Sequence, residues 1–289
     1  MNLFRYFEQR FNSHKMKTFK KIKSGDHLEL ILYKSDVKTP KAVVFIIHGM
    51  GEHAKRYAHV SEYFKNINIA VVAIDLRGHG NSQGKRGHMP SYEDIMNDLL
   101  LAVKEVSDFY SDLPIIMYGH SIGGNLTLNY LLRHPEHIAG AIVTSPYLRL
   151  GFEPPRWKVL LAKFSTNIYP ALSQPTGLDQ SALSRIPQVI AEYQNDKLVH
   201  DKITASFFIN SHHAGISAIE NAAKITTPLL LMHGSLDRLT SPEGSKDFYA
   251  KAKSNVTFHL WEGLYHEIHN EPEKLEVFKK EVEWIEGIL

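Results

Sequence analysis

The chain has 289 residues, 43% of them apolar and 22% charged, with a formal net charge of +2. This is an ordinary globular composition, long enough for one large α/β domain or for a core carrying an inserted subdomain. A charge so near zero provides no field for nucleic acid or strongly acidic partners, and the absence of cysteine excludes disulfides, thiolate metal sites and a cysteine nucleophile.

From the amino end, residues 1–23 carry seven Lys or Arg against one acid, Glu8. The first fifteen residues lack an uninterrupted apolar stretch, so they do not read as a secretory signal. Leu3, Phe4, Phe7 and Phe11 share one helical face, which suits a short helix packed on its own domain or one resting on a membrane surface. No run approaches the ~18 apolar residues of a membrane span. A cysteine-free chain also fits a reducing compartment, so a cytoplasmic protein is expected, with peripheral membrane contact as an option.

Strand-like runs then recur at His27–Lys34, Ala42–Ile47, Ile69–Ile74, Ile115–Tyr118, Gly140–Thr144, Leu229–Met232 and Val256–Leu260. Several are continuously apolar, as strands covered on both faces are. Amphipathic helices are predicted between them, at about 54–66, 91–110, 123–133, 243–253 and 272–287. Ser91 with Asp94, and Pro242, mark two helix starts. Such alternation predicts an α/β fold with a mostly parallel, doubly wound sheet. Residues 150–223 break the pattern: no clear strand is predicted there, only proline-marked turns and helical apolar spacing. Trp157, Leu160, Leu161, Phe164 and Ile168 fit one helical face. The reading is a helical cap (150–223) over the carboxyl edge of a core made of 19–149 and 224–289, behind an extension of residues 1–18.

One motif raises a chemical question. In Ile115-Ile-Met-Tyr-Gly-His-Ser-Ile-Gly-Gly-Asn125 a buried-strand run delivers Ser121 at once into a glycine-rich turn before a helical segment. Turn chemistry alone explains a serine among glycines. The strand–turn–helix context favours the nucleophile elbow, whose strained turn exposes the serine oxygen. A serine hydroxyl is a weak nucleophile without a base, and on this fold the order is Ser, then acid, then His. Asp237 follows the strand run Leu229–Met232, and His266 follows Val256–Leu260. Two backbone donors must also face the developing oxyanion. Ile122 supplies one, and Met50, in the turn after Phe45-Ile-Ile-His-Gly, supplies the other. His48 reads as a structural histidine of that turn.

HGMGEH with Arg56-Tyr57, DLRGHGNS (75–82), GHSIGG, LDQSALSR (178–185), YQND (193–196), GSLDRL (234–239) and YHEIH (265–269) together resemble the monoacylglycerol lipases. They also resemble the wider lysophospholipase and serine-aminopeptidase-like group of α/β-hydrolases. The likeness runs from about Phe19 to the carboxyl end. It implies an α/β-hydrolase with a helical cap, with Ser121, Asp237 and His266 as triad and Met50 and Ile122 as oxyanion donors. It further implies an alcohol pocket of Glu52, Arg56, His120, Tyr193 and His269, and hydrolysis of a small lipid ester such as a monoacylglycerol without a cofactor. Met50 stands where the family often has a smaller residue, a change that a backbone donor tolerates.

Competing readings stay open at this level. A lysophospholipase, another carboxylesterase or thioesterase, and a serine aminopeptidase would share the triad. A non-catalytic binding protein would be free to lose a triad member, and none is missing. The arrangement for Arg56 and Glu52 has a plainer form too, an ion pair bracing the oxyanion turn. Seventeen histidines invite a metal, but no H-E-x-x-H helix or convergent carboxylate set appears, so no metal site is expected.

Overall fold

The computed structural model describes residues 16–153 and 169–289. The apolar helical faces read at Leu3–Phe11 and Trp157–Ile168 lie outside the described residues.

Among the described residues eight strands form one sheet: β1 (Lys17–Lys23), β2 (Glu29–Lys34), β3 (Ala42–Ile47), β4 (Ile69–Asp75), β5 (Ile115–His120), β6 (Ile138–Thr144), β9 (Leu229–Gly234) and β10 (Val256–Trp261). They lie in the order β1-β2-β4-β3-β5-β6-β9-β10. β1 and β2 run antiparallel to their neighbours, and the rest pair in parallel. The sheet is sandwiched between helices. Alternation along β3 shows why: Val43, Phe45 and Ile47 enter one core cluster, whereas Val44 and Ile46 enter the other. A strand buried on both faces has no polar position, hence the uninterrupted AVVFII.

The helices begin as their local chemistry directs. α1 spans Ala58–Lys65, and α2 spans Tyr92–Phe109 behind a Ser91/Asp94 capping box. α3 is Ile122–Arg133, α4 Pro187–Asn195, α5 Ala205–Glu220, α6 Pro242–Lys251 and α7 Lys274–Ile288. Proline stands at the first turn of both α4 and α6, where its missing N–H leaves no bond unmade. Phe207 and Ile219 of α5 belong to the larger core cluster, with Leu126 of α3.

Two differences from the sequence reading have physical causes. β1 went unrecognised because four lysines in KTFKKIK mask its alternation; only Ile22 is buried. Charged residues suit an edge strand, which they keep from pairing with another chain. Between 150 and 223, where no strand was expected, β7 (Ser173–Pro175) pairs antiparallel with β8 (Lys202–Thr204). Three-residue strands, β7 wholly exposed, carry no hydrophobic pattern to read.

One buried acid sits apart from the carboxyl edge. Glu281 of α7 is fully buried; Tyr118 donates to its Oε1 at 3.1 Å, and Oε2 has no partner among the described residues. Burial pushes its carboxyl up to about 8, so it is neutral at pH 7. A folded-state value above the unfolded one gives a contribution that is intact below about pH 4.5 and lost as pH rises through about 8. Glu281→Gln removes that titration. Its melting temperature is expected to rise relative to wild type from pH 5 to 9, by the equivalent of a few kcal/mol. A constant offset across that range contradicts the assignment.

Candidate active site

β3, β5, β9 and β10 all point their carboxyl ends the same way, and each is followed by one of the residues singled out in the sequence. Ser121 follows β5 directly, with φ 54° and ψ −115°, a conformation that costs energy for a residue with a side chain. The flanking glycines explain how the turn is made. A Cβ on Gly123 would lie 1.9 Å from the Ile47 carbonyl oxygen; one on Gly119 would lie 2.3 Å from Thr127 Oγ1. The helix can meet the strand this closely only if both residues lack side chains.

Asp237 and His266 meet across two loops. His266 Nδ1 donates to Asp237 Oδ2 at 2.7 Å, and both side chains are buried. Burial opposes charge on Asp237, but His266 and His233 beside it hold its carboxyl well below the ordinary range. Burial likewise lowers His266, yet Asp237 outweighs it and raises the imidazole above its usual value. The loop bearing His266 is held from three sides. Ser145 Oγ donates to the His266 carbonyl at 2.8 Å, the His266 N–H donates to Ala182 and the Glu267 N–H to Leu183. This is the structural use of the LDQSALSR segment.

Ser121 and His266 line one cavity of about 210 Å³. No hydrogen bond joins Ser121 Oγ to the His266 ring, a contact that commonly tightens only around a bound substrate. Met50 and Ile122 also line the cavity. Among the described residues neither of their N–H groups has an intramolecular acceptor, and Ile122 opens a helix whose amino end favours negative charge. Glu52, His120 and Tyr193 supply the polar wall. His120 is neutral: burial, and then His266 beside it, lower its ring to about 4. Away from these groups the lining is largely apolar, with Leu150, Phe152, Leu178, Leu183, Phe208 and Leu239.

Two of the residues expected at the alcohol lie one layer back. His269 is not on the cavity wall; it stacks on Tyr57 with ring centroids 5.0 Å apart and meets His120 edge-on at 4.8 Å. Arg56 is also off the wall. Its Nη1 donates to Glu52 Oε2 at 2.5 Å and to Glu267 Oε1 at 2.7 Å, and its Nη2 donates to Glu267 Oε2 at 2.9 Å. The guanidinium lies 4.8 Å above the Tyr193 ring. Glu52 in turn accepts from the Gly49 N–H at 2.6 Å and from Tyr57 Oη at 2.7 Å. Burial opposes its ionisation, but Arg56 and the neighbouring histidines hold its carboxyl down to about 2. The ion-pair form of this cluster is therefore the one built, with Glu267 as a member that the sequence reading had not assigned. Its only signal was adjacency to His266.

Residues 38–273 match the family model described as serine aminopeptidase, S33. The chain is 39% identical over 249 residues to an abhydrolase domain-containing protein of Dictyostelium discoideum, spanning 26% of that protein's length. It is 35% identical over 248 residues to a monoacylglycerol lipase of Mycolicibacterium smegmatis, covering 85% of this chain and 88% of that one. The crystal structure of Paleococcus ferrophilus monoacylglycerol lipase superposes with a TM-score of 0.82 at 34% identity, over 89% of this chain and 99% of that one. With a serine on a strained strand-to-helix turn, an eight-stranded hydrolase sheet and a family match across most of its length, the chain belongs to the serine aminopeptidase, S33, family of α/β-hydrolases.

Proposed function

We propose that the chain is an ester hydrolase that cleaves monoacylglycerols to fatty acid and glycerol through an acyl-enzyme at Ser121. The observation that carries this reading is the mixed lining of one cavity: Ser121 and His266 share it with the polar Glu52 and Tyr193, and most of the remaining lining is apolar. A single acyl chain suits the apolar part and a small polyol the polar part. The names of the Mycolicibacterium and Paleococcus proteins point the same way.

In this mechanism His266 Nε2 takes the Ser121 proton as Oγ bonds to the ester carbonyl carbon. The resulting oxyanion accepts hydrogen bonds from the Met50 and Ile122 N–H groups. Asp237 holds the imidazole's orientation and balances its positive charge. His266 then protonates the leaving glycerol oxygen, and the C–O bond breaks. Water, deprotonated by the same imidazole, attacks the acyl-enzyme, and the proton returns to Ser121 as the acid departs.

Tyr193 is the residue that makes the site prefer a glyceride. It lines the cavity, and its hydroxyl has no protein partner among the described residues. A site that hydrogen-bonds an alcohol discriminates against esters lacking one. Tyr193→Phe is expected to lower kcat/KM for monoacylglycerol about 5- to 150-fold, the equivalent of one lost hydrogen bond. It should spare a p-nitrophenyl ester of equal acyl length. A glyceride-to-aryl ratio within about twofold of wild type removes Tyr193 from the alcohol site. Rates on diacylglycerol, lysophosphatidylcholine and an aminoacyl-arylamide, measured beside these, test the substrate class. Faster turnover of the lysophospholipid or the arylamide overturns it.

Among the described residues no helix is long and apolar enough to cross a membrane. Phe152, Tyr169 and Leu172 are exposed at 44%, 56% and 45%, and Phe152 also lines the cavity. We propose that a lipid substrate arrives from a membrane surface past Phe152, the exposed apolar residue of the cavity wall.

A further inference from the structure

His233 is the next-to-last residue of β9, at 0% exposure, in a strand whose other side chains are apolar. A buried imidazole is costly unless both nitrogens are used. Both are used here: Nδ1 lies 2.8 Å from Ser245 Oγ on α6, and Nε2 lies 3.0 Å from Asp237 Oδ2. Asp237 is held ionised, so it accepts and cannot donate. The proton between them therefore sits on His233 Nε2, and Nδ1 pairs with the Ser245 hydroxyl.

The two carboxylate oxygens of Asp237 are served differently. Oδ1 accepts the backbone N–H groups of Leu239 and Thr240, at 2.8 and 3.0 Å. These bonds fix the acid to its own turn. Oδ2 faces three side chains: His266 Nδ1 at 2.7 Å, Thr240 Oγ1 at 2.8 Å and His233 Nε2 at 3.0 Å. Two imidazoles thus share one carboxylate oxygen. No backbone donor to Oδ2 stands in the place of His233, and an apolar side chain there would leave Oδ2 to His266 and Thr240 alone.

We propose that His233 is a positioning residue for the reaction: its Nε2–H pins Asp237 Oδ2 opposite His266 Nδ1 and draws off part of the negative charge that His266 meets. This rests on the reading of Asp237 and His266 as acid and base. A carboxylate that already serves a second donor binds the imidazolium less tightly, so His266 releases its proton at lower pH. The other groups facing His266 are Glu52, Glu267, His120 and His269. All of them remain in place when His233 is changed, so a shift in the pH profile reports on His233 itself.

The test compares His233→Leu, which removes the donor, with His233→Gln, whose amide N–H can replace it. kcat/KM for a monoacylglycerol is measured from pH 5 to 9, beside Ser121→Ala and Asp237→Asn. His233→Leu should lower kcat about 10- to 100-fold with KM little changed. It should also move the acid limb toward alkaline pH by about half to one unit, because the base holds its proton longer. His233→Gln should return the limb to the wild-type position and most of kcat. A limb unmoved in His233→Leu overturns the proposal, as does equal impairment of the two variants with equal loss of melting temperature. Ser245→Ala, which frees the His233 tautomer, should shift the limb the same way by less; if His233→Leu does not fold, an unmoved limb in Ser245→Ala decides against it. Activity retained in Ser121→Ala or Asp237→Asn would sink the triad itself, a result distinct from failure of His233.

Discussion

Ser121→Ala is expected to lower kcat by about four to six orders of magnitude while the protein keeps its fold. The size of the loss follows from the way a nucleophile and its base act as a unit. Without Oγ no acyl-enzyme forms, and His266 has no proton to receive; the oxyanion donors and the cavity alone leave only a residual rate. The fold should survive because Ser121 holds its strained backbone through its neighbours. Its carbonyl accepts from the Asn125 and Tyr147 N–H groups, at 3.0 and 2.9 Å, and its own N–H donates to the Thr144 carbonyl at 3.0 Å. None of these bonds uses the hydroxyl. Melting temperature should therefore match wild type within a few degrees. A serine-directed phosphonate should label the wild-type protein once, at Ser121, and the variant not at all. Labelling at another serine, or a variant retaining a tenth of the activity, would falsify the assignment.

How far such a site can be read from sequence depends on which interactions leave a local pattern. The strands of the sheet's centre were legible because burial on both faces demands an unbroken apolar run, as in β3 and β4. Ser121 and Asp237 could be placed at the carboxyl edge because each follows such a run closely, and His266 because it follows β10, whose VTFHLW still reads as a strand. β1 was not legible, since an edge strand with lysines on its exposed positions shows no alternation. The Arg56–Glu267 pair joins residues 211 positions apart, and nothing in either neighbourhood marks the partner. His233 differs again. It lies only four residues before Asp237, but at the end of an apolar run it reads as part of the strand. Its role depends on which way the turn folds Asp237 back.

Arg56→Met is expected to damage stability and catalysis together, and to do so on every ester. The guanidinium is buried between two carboxylates, with 11% of its side chain exposed against 3% for Glu52 and 2% for Glu267. Methionine keeps the bulk of the stem and removes the charge, leaving two buried acids near one another without a counterion. Breaking a buried pair from one side costs about 3–5 kcal/mol, because the stranded charge can neither ionise cheaply nor return to water. At the size of this chain that is a fall of roughly 6–20 °C in melting temperature. The catalytic loss has a separate route. Glu52 Oε1 accepts the Gly49 N–H, one residue before the Met50 donor, and Glu267 follows His266. Arg56 therefore ties the oxyanion turn to the loop carrying the base. With the tie cut, Glu52 should also lose its depressed pKa. Its contribution, present in wild type above the ordinary carboxylate value and lost only as pH falls toward about 2, would then be missing at neutral pH, and the gap to wild type should narrow as pH falls. kcat/KM should drop about equally for monoacylglycerol and for a p-nitrophenyl ester of the same chain length, since the oxyanion is common to both. Arg56→Lys, which keeps the charge but not the two-pronged contact with Glu267, should fall between. The measurement is the ratio of the two rate constants together with a pH series of melting temperatures. If the glyceride rate collapses while the aryl ester and the melting temperature stay at wild type, Arg56 binds the alcohol and is no brace.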